Sequence, residues 1–357
     1  MISIGRPEEP SKREFDRLID AAMSRSRLTN DGPLLVELTE RLEEFLGVQG
    51  LLLVANGTLA MQVAYRALSL SGNGKTALTT PFTFAATESS LLWEGLNVNF
   101  RDIDPHSLNL AADGLDVDGE NADVVVPVHV FSNPCDTSAI DDYARKFSAK
   151  VVYDAAHAFG VERNGRSILL EGDAATMSFH ATKVFSTVEG GAVLFRDDEA
   201  LEAARDIIRF GRRSEQEGTT LVGTNAKLSE LHAAYGLALL DEMPRIMERR
   251  CEVKARYRHQ LDDAIAFQAR AADATDNGAY CPLVFETPDQ REGAQRALAD
   301  NDIIARQYFH PCLGDPASRA STPVAANISE RILCLPVDSQ LSDADVDRIA
   351  EIVNRSL

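Results

Sequence analysis

The sequence predicts an α/β fold, with a large domain on a mostly parallel seven-stranded sheet and a smaller C-terminal α+β domain. Two observations predict it. Short apolar runs at 51–54, 76–79, 98–100, 124–128, 150–153, 176–179 and 192–195 read as seven strands, and several are separated by segments long enough for crossover helices. That alternation is the pattern of a largely parallel sheet covered on both faces. After Ala279 the pattern changes to strand 280–286, helix 289–300, short strands near 303–307 and 332–337, and a last helix from Asp343. The second pattern fills roughly a hundred residues, an ordinary domain size.

Taken in order, 12–27 and 34–46 carry apolar residues at helical spacing, and Gly47 is placed to close the second helix. Between them, 28–33 is rich in turn formers. From Lys227 a long helical region runs on, and Pro244 is expected to kink or split it because proline removes an amide donor. The expected division is 1–240 for the large domain with its N-terminal helices, and 241–357 for the linking helix and small domain.

Composition narrows the function classes. With 36 Lys plus Arg against 55 Asp plus Glu, the formal net charge is −19, which repels a nucleic-acid backbone. An anionic substrate therefore depends on a local cluster of donors. Residues 1–7 lack the basic and apolar regions of a signal peptide, and no apolar run approaches the roughly 20 residues that span a bilayer. A cytoplasmic protein with no membrane partner is expected. Five scattered cysteines form no CxxC pair and no zinc spacing, so reduced packing residues and no metal are expected.

The chemistry is concentrated around one lysine. The 150–153 strand ends at Asp154, His157 follows three residues later, and Ser178 precedes Lys183 on a polar turn before Gly190-Gly191. A strand-end carboxylate and a turn lysine in this order suit pyridoxal 5′-phosphate (PLP). The lysine forms a Schiff base with the aldehyde, the acid keeps the pyridine nitrogen protonated, and Ser178 offers a hydroxyl to the phosphate. Upstream, Gly57 and Thr58 open a helix whose free amides and positive dipole end suit a phosphate, and Leu59 belongs to the same turn. In isolation an Asn or Thr N-cap without a ligand is the commoner explanation of those residues, and Ser178 and Lys183 elsewhere favour the phosphate.

Five stretches together resemble the DegT/DnrJ/EryC1/StrS family of PLP-dependent sugar aminotransferases. They are Asn56-Gly57-Thr58-Leu59-Ala60, Thr80-Pro81-Phe82-Thr83-Phe84-Ala85-Ala86-Thr87, the run from Asp154 to Gly160, the run from Ser178 to Gly191, and the run from Gly223 to Glu230. The likeness extends from about Leu28 to the C-terminus. It implies the type I PLP aminotransferase fold and a ping-pong transamination with L-glutamate as donor and a nucleotide-linked keto-sugar as acceptor. It places Phe84 on the cofactor ring, with Phe82 as competitor, and His157 near the cofactor's phenolic oxygen. It makes Asn225 a contact to the neighbouring subunit's cofactor phosphate, in a homodimer with shared active sites; an N-cap role suits Asn225 equally. Related dehydratases carry histidine where this chain has Lys183, and a non-catalytic scaffold would not need Asp154, Ser178 and Lys183 intact.

For the acceptor, the runs 127–135, 153–160 and 305–311 are most similar to the subgroup that aminates C4 of dTDP-4-keto-6-deoxyglucose. Arg306, Tyr308 and His310 can supply donors to a nucleotide diphosphate. Thr29 and Asn30, in the 28–33 loop, can line the entrance from the other side. Residues 312–315 depart from the longer loop expected there, which leaves a 3-keto-sugar or a GDP-linked 4-keto-sugar as alternatives.

Overall fold

A computed structural model describes residues 1–116, 121–214, 218–219 and 221–357. All seven expected strands lie in one sheet, in the order Leu52–Val54, Gly191–Phe195, Ala174–Ser178, Lys150–Asp154, Val124–Val125, Thr76–Thr79, Asn97–Phe100. Pairing is parallel except at Gly191–Phe195, which runs antiparallel to both neighbours. The run at 124–128 forms regular strand only over Val124–Val125, and Val128 meets Asp154 in an isolated parallel bridge. Pro127 explains the break, since it has no amide to donate.

Successive strand residues point to opposite faces, and both faces are buried. Val151, Tyr153, Ala175 and Met177 join the core beneath the N-terminal helices. Val152, Ala174 and Val193 join a second core under the Gly57–Ala67 helix. A third core gathers Val253, Tyr257, Leu283, Leu298, Leu335 and Val346 around a three-stranded antiparallel sheet. That sheet contains Ala266–Phe267, Cys281–Val284 and Ile332–Leu335, with the Pro288–Ala299 helix against its last strand and the Asp343–Asn354 helix packed on that helix and on the Met243–Gln260 helix.

The N-terminal helices are Lys12–Arg25 and Pro33–Leu46, and Gly47 does cap the second, at φ 64°. The region after Lys227 is split next to Pro244, one of the two outcomes expected there. Its first helix is Glu230–Leu240, capped by Ser229, and a second is Met243–Gln260. Pro244 opens that second helix instead of kinking a longer one, because a first-turn residue has no intrahelical acceptor for the amide that proline lacks. The five cysteines are free thiols. Among the described residues no helix is long and apolar enough to cross a membrane.

Two features escaped the periodicity. Ile2–Ser3 pairs in parallel with Ile303–Ile304, while Arg306, two residues on, meets Cys334 of the three-stranded sheet in an isolated antiparallel bridge. Close by, Glu8 (1% exposed) and Arg250 (4%) form a buried ion pair at 2.7 Å. Glu8 also accepts from the Ser339 amide (3.0 Å) and hydroxyl (2.5 Å). Arg250 donates to the Gly278 and Ala279 carbonyls at 3.1 and 3.0 Å. The pair is thus hydrogen-bonded on both sides, the condition under which buried charges are tolerated.

Candidate active site

The carboxyl ends of the parallel strands and the start of the Gly57–Ala67 helix surround a cavity of about 270 Å³. In doubly covered sheets ligands bind at this edge. Asp154 ends its strand there. Its carboxylate accepts from the Thr87 hydroxyl at 2.8 Å and the Ala156 amide at 3.1 Å, and Thr83 lies 2.9 Å behind Thr87. Burial raises its pKa, while those two donors and the charge of Lys183 pull it back down.

Lys183 stands on the connection between the antiparallel strands Ala174–Ser178 and Gly191–Phe195. Phe179 and Ala181 donate to the carbonyls of Gly190 and Val188, and the Lys183 amide donates to His180. The turn is therefore held by its own backbone, and the side chain rises into the cavity. Burial, assisted by the Arg306 charge and opposed by Asp154, pushes its amine down to about 8. Its Nζ is 3.4 Å from the Tyr280 hydroxyl.

At the opposite end, Asn56 caps the Gly57–Ala67 helix by accepting the Leu59 amide at 2.8 Å. Leu59 is thereby engaged and lies outside the cavity wall, which leaves the Gly57 and Thr58 amides of the first turn without an intrahelical acceptor. The contact is close: a Cβ on Gly57 would meet that of Ser178 at 2.9 Å, and one on Gly191 would meet the Asn56 backbone at 2.6 Å. Glycine at both positions lets the helix start lie against Ser178, so amides and hydroxyls converge.

Phe84 is 57% exposed and lines the cavity, whereas Phe82 is fully buried against Phe131 and Phe309. His157 also lines it. Its Nδ1 accepts the Phe131 amide at 3.2 Å, so the neutral ring carries its proton on Nε2. Arg306 and Tyr308 reach the wall from the C-terminal part of the chain, the guanidinium 4.8 Å from the Tyr308 ring centre.

Five expected site residues lie outside this cavity: Leu59, and the exposed Thr29, Asn30, Asn225 and His310. Asn225 is not a helix cap. Ser229 fills that place, and the Asn225 side chain accepts from Lys227 within hydrogen-bond distance. The sequence reading missed Thr87, whose position four residues after Thr83 on a helix start was a usable signal. It also missed Tyr280, for which no local pattern exists.

The sequence profile of the DegT/DnrJ/EryC1/StrS aminotransferase family matches residues 10–354. The chain belongs to that family. Among its relatives, a dTDP-4-amino-4,6-dideoxy-D-glucose transaminase of Shigella dysenteriae is 36% identical over 363 residues, covering 99% of this chain and 98% of the relative. A protein of the same name from Escherichia coli is 30% identical over 371 residues, with 99% and 98% covered. The crystal structure of DesI in the presence of its TDP-sugar product superposes with a TM-score of 0.91 at 30% identity, covering 99% of this chain and 92% of that one. As a member of the aminotransferase family the chain is an enzyme, and its family implies PLP dependence. The residues fit that group. A lysine amine, a strand-end carboxylate and an open helix turn beside a serine face a single cavity, as an aldehyde, a ring nitrogen and a phosphate require.

The site also predicts a pH dependence of stability. Burial pushes His157 well below the usual histidine range and His129, stacked on Tyr153 in the interior, down to about 3. The folded protein refuses protons that the unfolded chain accepts near pH 6.5, so the unfolded state binds more protons and stability falls as pH drops below that value. The slope is up to about 1.4 kcal/mol per pH unit for each ring. Urea unfolding at pH 6.5 and 5 should show the loss; equal midpoints would contradict neutral buried rings.

Proposed function

We propose that this enzyme binds PLP and transfers the amino group of L-glutamate to dTDP-4-keto-6-deoxy-D-glucose, releasing 2-oxoglutarate and dTDP-4-amino-4,6-dideoxy-D-glucose. The convergence of the Lys183 amine, the Asp154 carboxylate and the Gly57–Thr58 amides on one cavity carries the reading. The names of the two relatives above support the choice of sugar.

When bound, PLP supplies an aldehyde that joins to amines and a cationic ring that acidifies the adjacent C–H bond. Asp154 holds the proton on the ring nitrogen through a charge-assisted hydrogen bond, and Thr87 and the Ala156 amide aim the carboxylate. Ser178, Thr58 and the Gly57 and Thr58 amides would hold the phosphate. Phe84 would cover one ring face, and His157 would offer its Nε2 proton at the ring edge. Lys183 would make the link to the aldehyde and, once freed by the donor amine, would carry the proton from the substrate's α-carbon to the former aldehyde carbon of the cofactor. An amine near 8 has an appreciable free-base fraction at neutral pH and accepts the proton readily. The sugar half-reaction runs these transfers in reverse.

The acceptor's diphosphate needs cations, and Arg306 is the guanidinium that this chain brings to its own cavity. We assign the remaining donors to a second copy. Thr29, Asn30 and Asn225 are exposed beside Leu28, Phe210, Leu221, Val222 and Leu231, all at least 36% exposed, and a homodimer would cover that apolar surface. Fully active monomers in analytical ultracentrifugation at assay concentration would exclude the shared site.

The visible spectrum tests the cofactor. Purified protein should be yellow and should bleach toward the pyridoxamine form with glutamate. A panel of nucleotide keto-sugars, with NMR location of the new amine, tests the acceptor. Amination at C3, or use of GDP sugars alone, would reject the C4 dTDP-sugar and leave the transaminase intact.

A further inference from the structure

We infer that Tyr280 is a further catalytic residue, whose hydroxyl holds the Lys183 amine in place while that amine is free to carry a proton. The inference rests on the reading of Lys183 as the reacting lysine. Lys183 Nζ and the Tyr280 hydroxyl are 3.4 Å apart, and among the described residues no other hydrogen bond of that amine is recorded.

The tyrosine is held from several sides. Arg250, itself fixed by buried Glu8, bonds the carbonyls of the two residues that precede Tyr280. Asn277 donates to the carbonyls of His157 and Phe159 at 2.9 and 3.0 Å and accepts the Ala279 amide at 3.0 Å, which ties this segment to the floor of the cavity. Three rings enclose the phenol: His157 at 4.4 Å, Phe131 at 5.2 Å and Tyr308, edge-on, at 5.7 Å. With the ring 8% exposed and clamped on these sides, its hydroxyl is a fixed point and the flexible lysine the part that moves.

A neutral phenol suits this task. Burial keeps Tyr280 protonated across the working pH range, so it does not compete for the proton. It accepts from the ammonium form of Lys183 and donates to the free amine, and so follows the lysine through both states. The two bonds are unequal, because hydrogen bonds to charged groups are stronger than those between neutral ones. Loss of the hydroxyl therefore costs the ammonium more than the amine, and the proton affinity of Lys183 should fall.

The test is Tyr280→Phe, which keeps the ring and removes one oxygen. In the cofactor-free protein, trace acetylation of Lys183 across pH, read by peptide mass spectrometry, reports the titration of the amine. The wild-type midpoint should lie near 8 and that of the variant about half to one pH unit lower. Thermal midpoints should agree. In the loaded enzyme, kcat should fall about tenfold with KM for glutamate little changed, the mark of an interaction made during the chemical step. An unmoved acetylation midpoint would overturn the role of Tyr280. Borohydride trapping of PLP on the wild type separates the two readings. Trapping on Lys183 with an unmoved midpoint rejects Tyr280 alone, whereas trapping on a different lysine rejects both.

Discussion

Replacing Lys183 by alanine should abolish turnover with glutamate and keto-sugar and remove the borohydride-trapped PLP adduct. Two losses combine. The proton carrier disappears, which by itself lowers rates by about 10²–10⁴-fold, and so does the amine that makes the covalent link to the aldehyde. The fold should survive, because the turn that carries Lys183 is held by backbone hydrogen bonds from Phe179, Ala181 and Thr187 and not by the lysine side chain. A second signature follows from the lowered pKa. Between about 8 and the ordinary lysine value of 10.5, the unfolded chain binds a proton that folded, cofactor-free protein does not. The unfolded state binds more protons in that window, so wild-type stability gains a rising contribution from pH 8 upward. The Lys183→Ala variant should lack that contribution. Full activity in the variant would remove the central assignment.

Arg250→Ala should be the most damaging single change away from the cavity, at about 3–5 kcal/mol. It leaves the Glu8 carboxylate charged and buried with only Ser339 to bond it, and it strips the Gly278 and Ala279 carbonyls of their donor. Urea unfolding, with the same measurement on Arg296→Ala as reference, provides the check. Arg296 pairs with Glu292 on an exposed helix face, where two solvated charges gain little from each other, and its removal should barely register. The Arg250 loss should also reach the active site, since those carbonyls lead into Tyr280. If both variants unfold at the same urea concentration, the buried pair is not holding the N-terminus to the C-terminal part of the chain. Replacing Glu8 and Arg250 together by apolar residues of similar volume should recover much of the loss, because the cost lies in the orphaned charge and not in the absence of the pair.

Much of this protein was legible along the chain. The seven strands are short apolar runs between turn formers, and a strand needs no information beyond its own few residues to be recognised. Glycine 47 caps its helix for an equally local reason, because only a few residue types accept a left-handed backbone at low cost. Asp154, Ser178 and Lys183 were readable as one constellation because each sits at or just beyond a strand end, and strand ends are where such sheets expose their chemistry.

What the sequence by itself determined, then, is the seven strands of the large sheet, the α/β class and the order of the reactive side chains. The tertiary structure decided which distant residues meet. Thr87 bonds Asp154 across 67 residues and Lys183 meets Tyr280 across 97, while Ile2–Ser3 finds Ile303–Ile304 at the other end of the chain. It also chose Phe84 over Phe82 for the cavity and gave the cap of the Glu230–Leu240 helix to Ser229 instead of Asn225. Periodicity and capping are properties of neighbouring residues, and they survive in the sequence as patterns. A hydrogen bond between remote side chains depends on how the crossovers order the strands and where the last sheet packs, which no short stretch of sequence encodes.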